Sequence, residues 1–199
     1  MKQIIMAITG ASGAPYARRL LECLVRADVH VHLCASPAAT RVAADELGIK
    51  RLTAETLLGR DNPNVTVYNH RDIGARIASG SFLAEGMVVC PCSSHTLAAI
   101  ASGLGDNLIS RAAMVTLKEA RRLVLVPREM PLSAIELENM LRLARSGVII
   151  CQASPGFYLR PQSVEDLVDF VVGRVLDLLG VPHELHTRWR PPDTSEPDP

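Results

Sequence analysis

Short apolar runs alternate with stretches of helical periodicity along nearly the whole chain. Residues 4–9, 29–36, 65–68, 87–90, 123–127 and 148–151 are apolar and of strand length. Between and after them, apolar positions recur three and four apart over 15–27, 37–47, 93–102, 109–120, 133–146 and 164–179, the spacing of helices. Strand runs as apolar as LVLVP at 123–127 are expected to be covered on both faces. Strands of this kind alternating with helices predict an α/β protein. The expected fold is Rossmann-like (flavodoxin-like), with three layers and a mostly parallel central sheet. Residues 50–64 are polar and turn-rich and read as a loop. The proline-rich end, 190–199, reads as a disordered tail, which leaves 1–189 as one domain.

Composition narrows the function. Lys plus Arg number 21 and Asp plus Glu also 21, which argues against a nucleic-acid binder working by bulk charge. Aromatic residues make up 4% of a chain that is 48% hydrophobic. The core must therefore come from Ala, Val, Leu and Ile, and a base-stacking surface is not expected. No apolar run approaches the roughly 18 residues of a membrane span. The first residues are apolar but lead into a Gly-rich turn and a helical pattern, so they are expected to be a strand, not a signal segment. The five cysteines are odd in number and lack CxxC spacing; they suit a reducing compartment, the cytoplasm.

In open α/β sheets ligands bind outside the carboxyl ends of the strands. The loops expected there carry Gly10-Ala11-Ser12-Gly13-Ala14, then Ser36-Pro37, then Pro91-Cys92-Ser93-Ser94-His95-Thr96, then Arg128-Glu129, and last Gly156-Phe157-Tyr158. Three of them bring Gly or Ser to a helix start, where free N–H groups bind phosphate. GASGA has neither the GxGxxG spacing nor the GK[ST] ending of the familiar nucleotide loops. Arg111 and Lys118 share a helix face. Arg174, within VDFVVGRVLDLL, needs Asp177 or an anionic ligand as partner. Glu46 ends the second helix near the same edge. The histidines are scattered, and no metal site is expected. The residues alone imply a phosphate-bearing ligand held by Ser, Thr and Arg beside a buried acid.

The motifs TGASGAPY (9–16), SGSF (79–82), PCSSHTLAAIASG (91–103), DNLISRAA (106–113), LVLVPREMPLSAIELENM (123–140) and PGFYLRPQSVEDLVDFVVGRVLD (155–177) resemble the UbiX/Pad flavin prenyltransferases. These belong to the superfamily of homo-oligomeric flavin-containing cysteine decarboxylases. The resemblance implies transfer of a dimethylallyl group from dimethylallyl phosphate to N5 and C6 of reduced FMN, without a metal. The product, prenylated FMN, would serve a UbiD-type decarboxylase. By the same resemblance, FMN would be held by Gly10, Ala11, Ser12, Ser36, Ser93, Ser94, His95, Thr96 and Arg128. Lys118, Arg128, Tyr158 and Arg174 would grip dimethylallyl phosphate. Glu129, Glu46, Ser12 and Lys118 would be the catalytic groups. The assembly would be a dodecamer whose sites draw on more than one subunit. His95 stands where relatives often carry Lys, Glu136 where His is usual. Two alternatives stay open: a flavin-dependent decarboxylase of a cysteine substrate, and a flavin carrier without catalysis.

Overall fold

A computed structural model of the chain describes residues 1–185; the expected tail and Trp189 lie outside the described residues. The elements follow one another as strand β1 (Gln3–Ile8), helix α1 (Ala14–Arg26), β2 (His30–Ala35), α2 (Pro37–Leu47), α3 (Ala54–Leu58), β3 (Val65–Tyr68), β4 (Gly86–Cys92), α4 (Ser94–Ala101), α5 (Leu108–Lys118), β5 (Arg122–Pro127), α6 (Ala134–Arg145), β6 (Ile149–Ile150) and α7 (Val164–Leu179). Segment 50–64 departs from the expected loop. Thr53 and Thr56 close a reciprocal capping box and Leu57 is buried, which turns the middle of the segment into α3.

The six strands form one sheet in the order β3-β2-β1-β4-β5-β6, every pair parallel. This is the Rossmann order, not the flavodoxin order 2-1-3-4-5. Successive side chains of a strand point to opposite faces, and both faces are buried. Ile4, Met6 and Ile8 of β1 join Leu20 and Leu24 of α1 and Val172 and Leu176 of α7. Ile5 and Ala7 join Leu97 of α4 and Leu108 of α5 on the other face. All seven residues of β4 are buried, Pro91 included, and the ladder to β5 shifts register between Val89 and Cys92.

His32 of β2 is buried under α5, not free to bind a metal. Its Nδ1 lies 3.0 Å from the Tyr68 hydroxyl and its Nε2 3.0 Å from Gln3 Oε1. Burial, then the charges of His30 and Arg76, hold its pKa down to about 4. The unfolded chain regains the ordinary value near 6.5 and so binds a proton that the fold refuses. Stability should therefore fall as pH drops from about 6.5 towards about 4, by at most about 1.4 kcal/mol per pH unit. Urea unfolding across that window should show the slope in the wild-type chain and a flatter one in His32→Gln; equal slopes would refute it.

Candidate active site

The strand order reverses between β1 and β4, and a cleft of about 620 Å³ opens at the carboxyl ends there. It brings together Gly10, Ser36, Ser93, His95 and Thr96, as the sequence predicts. Its walls also carry His70 and Arg71 after β3 and Asp106 and Asn107 before α5. Buried Thr9 ties two of the loops together. Its hydroxyl donates to the Pro91 carbonyl at 2.8 Å and accepts from the Ser93 amide at 2.8 Å. Gly10 allows the first loop to lie against α2, since a Cβ there would stand 2.5 Å from that of Ala38.

Helix N-termini present unpaired N–H groups, and tracing where each goes decides which of them an anion can use. At α1 the Glu46 carboxylate accepts from Gly13 N at 3.0 Å and Ala14 N at 2.7 Å. The GASGA loop therefore does not offer its helix end to phosphate: an acid 33 residues on has filled it. At α5 the Asn107 side chain accepts from Ile109 N and Ser110 N, and Leu108 N donates to His70 O. At α4 the Ser93 cap takes only Thr96 N, so the amides of Ser94 and His95 have no partner among the described residues. At α2 Ser36 takes Ala39 N, Pro37 has no N–H, and the Ala38 amide is left. Open donors thus converge from α4 and α2, and Ser36 and Ser93 act as caps in the same structure.

Beyond the cleft, at the end of β5, the Arg128 Nε donates to the Ser12 carbonyl at 3.2 Å and Nη1 lies 4.0 Å from Glu129. The Ser94 hydroxyl stands 2.8 Å from Glu136 Oε1 and 3.3 Å from Glu129 Oε2. Glu136 is itself held by the capping box with Ser133 at the start of α6, and those bonds keep its carboxyl below the usual carboxylate range. Glu129 is not the buried acid that the sequence implies: its side chain is 39% exposed. Glu46 is exposed as well, on the open side of the α1 end that it caps.

Of the expected site residues, Lys118 does not reach this cluster within one chain, whereas Arg174 lies within electrostatic range of Cys151 at the end of β6. α5 starts at the cleft and runs away from it, so Lys118, ten residues on, lies roughly 15 Å off at the amino edge of the sheet. There it pairs with Glu119 at 2.7 Å, and its side chain is 61% exposed. Arg111, one turn into α5, is also exposed. Arg174 does not point into the core: Val171, Val172, Val175 and Leu176 fill that side of α7, and Arg174 pairs with Asp177 at 3.2 Å. Tyr158 rests edge-on against Phe170, 5.7 Å between centroids, one turn before Arg174, at the β6 side of the molecule. The sequence reading missed Thr9, Arg71 and Glu136. Position after β3 could have singled out Arg71; the other two act through contacts that no spacing reveals.

The thiols nearby are not nucleophiles in this setting. Burial pushes Cys92 up to about 12, and raises Cys90 with Cys151 and Cys92 adding to it. Among the described residues, no group of three or more His, Cys, Asp or Glu could share a metal ion.

The sequence matches the Flavoprotein family over residues 1–176. It is 50% identical over 196 residues to the flavin prenyltransferase UbiX of Pseudomonas aeruginosa, which covers 94% of each chain. The crystal structure of a dodecameric FMN-dependent UbiX-like decarboxylase from Escherichia coli O157:H7 is similar at a TM-score of 0.87 and 44% identity, over 95% of this chain and 100% of that one. AnUbiX (PadA1) in complex with FMN and dimethylallyl pyrophosphate is similar at a TM-score of 0.87 and 43% identity, over 96% and 99%.

Proposed function

This chain belongs to the Flavoprotein family, and from that premise we propose that it is a flavin prenyltransferase, moving the dimethylallyl group of dimethylallyl phosphate to N5 and C6 of reduced FMN. The observation that carries the reading is the continuity from the open α4 amides, through Ser94, to Glu129 and Arg128. The residues fit a flavin mononucleotide. The cleft has the volume of a ligand pocket, and its free donors suit a phosphate at one end. Gly10, Ala11, Ser12, Ser36, Ser93, Ser94, His95, Thr96 and Arg128 hold it. When bound, reduced FMN supplies the nucleophilic nitrogen and carbon that accept the prenyl group.

The chain's own residues do the rest. Breaking the allylic C–O bond builds negative charge on the departing phosphate. Lys118, Arg174 and the Tyr158 hydroxyl stabilise it with Arg128. Glu129 takes the proton lost when the second bond closes, and Glu46 and Ser12 hold the loop against which the reacting atoms are set. Within one chain Lys118 lies apart from Glu129, so a neighbouring subunit supplies it. A relative solved as a dodecamer supports a dodecamer here. The product goes to a UbiD-type decarboxylase. A cytoplasmic location accompanies this reading: the five cysteines form no disulfide, and no helix among the described residues is long and apolar enough to cross a membrane.

The test is anaerobic incubation with reduced FMN and dimethylallyl phosphate. The expected result is a flavin heavier by one five-carbon unit with an altered absorption spectrum; an unchanged flavin defeats the proposal. Solved relatives at 42–44% identity carry the word decarboxylase in their names, which favours a second reading. Release of CO2 from a cysteine-derived substrate would establish that activity instead. Sharing of sites between subunits predicts complementation: Lys118→Ala and Glu129→Gln chains, each inactive, should recover a measurable fraction of wild-type rate when unfolded and reassembled together. No recovery would mean that each chain builds its own site.

A further inference from the structure

Arg71 lines the cleft but is accounted for by nothing in the site described so far. Its backbone is firmly held. Arg71 N donates to the Asn69 side chain at 3.0 Å, Asp72 N to Asn69 O at 3.0 Å, and Leu108 N to the neighbouring His70 O at 2.9 Å. Its guanidinium, in contrast, makes no hydrogen bond or ion pair among the described residues. It is the one Lys or Arg among the residues lining this cleft.

The charges around it are few. Asp106 is the single acid of the lining, and it is already engaged by Ser110 Oγ at 3.2 Å and Asn107 Nδ2 at 3.0 Å. His70 is held below its ordinary pKa by burial and by Arg71, with Asp106 opposing, so it adds no charge near neutral pH. The open amides of Ser94, His95 and Ala38 can donate to a phosphate, but a dianion there faces only the partial charges of helix ends unless a full cation joins them.

We propose that Arg71 is a ligand of the FMN phosphate, closing from the β3 side the anion site that α4 and α2 open from below. This rests on the reading of the cleft as the FMN site. A guanidinium suits the role, because its planar fork can bond two phosphate oxygens at once.

The experiment compares FMN with riboflavin, which lacks the phosphate, by titrating the flavin-free protein and following flavin fluorescence. In Arg71→Ala, FMN should bind about ten- to a hundredfold more weakly, the loss of one charge-assisted contact, while riboflavin affinity stays within about twofold. Arg71→Lys should regain part of the loss, and added salt should weaken FMN binding more in the wild type than in Arg71→Ala. An unchanged FMN affinity in Arg71→Ala overturns the proposal. So does an equal loss for both flavins, which would assign Arg71 to the ring or the loop. A wild-type protein that binds neither flavin would instead defeat the reading of the cleft itself, a result visible before any variant is made.

Discussion

Glu129→Gln should bind FMN as tightly as the wild-type chain and yet form prenylated flavin about 10² to 10⁴ times more slowly. The amide keeps the size of the side chain and can still meet the Ser94 hydroxyl, 3.3 Å away, and the Met130 amide, 3.1 Å away, so the loop between Pro127 and α6 should hold its shape. What it loses is the capacity to take a proton, which closing the second bond requires. FMN should be unaffected, because in the proposed site its phosphate meets the open amides of α4 and α2, with which Glu129 shares no bond. Anaerobic single-turnover spectroscopy, set beside an FMN titration, separates the two effects. A rate within about threefold of the wild type would remove Glu129 as the base, since one general base is worth far more than that. Intact binding with lost chemistry would also end the reading of the chain as a flavin carrier.

Gly13→Ala should cost about 2–6 kcal/mol of stability and much of the flavin affinity. Gly13 has φ 127°, a conformation that only glycine adopts without strain, at about 1–3 kcal/mol for other residues. A Cβ there would also meet the Tyr16 ring at 2.8 Å, an overlap that adds a further 1–3 kcal/mol or so. The same residue gives its N–H to Glu46, so moving it unseats the cap of α1 along with Ala11 and Ser12. A chain of this length should lose on the order of 10 °C in melting temperature. Gly103→Ala is the control. Gly103 has φ 71° with no atom within 4 Å of its Cβ, so only the left-handed strain applies. If the two variants melt alike, the contact with Tyr16 carries no weight.

The sheet was legible because burial on both faces leaves uninterrupted apolar runs, and runs such as 123–127 can be little else. The cleft was legible for a related reason: in such a sheet the loops that matter are those after the strands, and Gly10, Ser36 and Ser93 all sit there. The role of Glu46 was not, because it is a contact across the fold. Spacing gave no sign that a helix-end carboxylate would fill the α1 terminus that GASGA seemed to offer. α3 escaped because two threonines, polar in composition, form a cap only once Leu57 has a core to enter. The distance of Lys118 from Glu129 could have been foreseen. A helix that begins at one edge of a parallel sheet and feeds the next strand must end at the other edge. Motif resemblance names residues without saying which edge they occupy.

That separation has a consequence for how the protein would behave in a cell. If Lys118 reaches a flavin only on a neighbouring copy, specific activity depends on how much of the chain is present. Below the concentration at which copies associate, each would still take up FMN through its own α4 and α2 and consume none of it. Dilute protein would act as a flavin reservoir, and synthesis of more chain would turn the reservoir into a catalyst with no other signal.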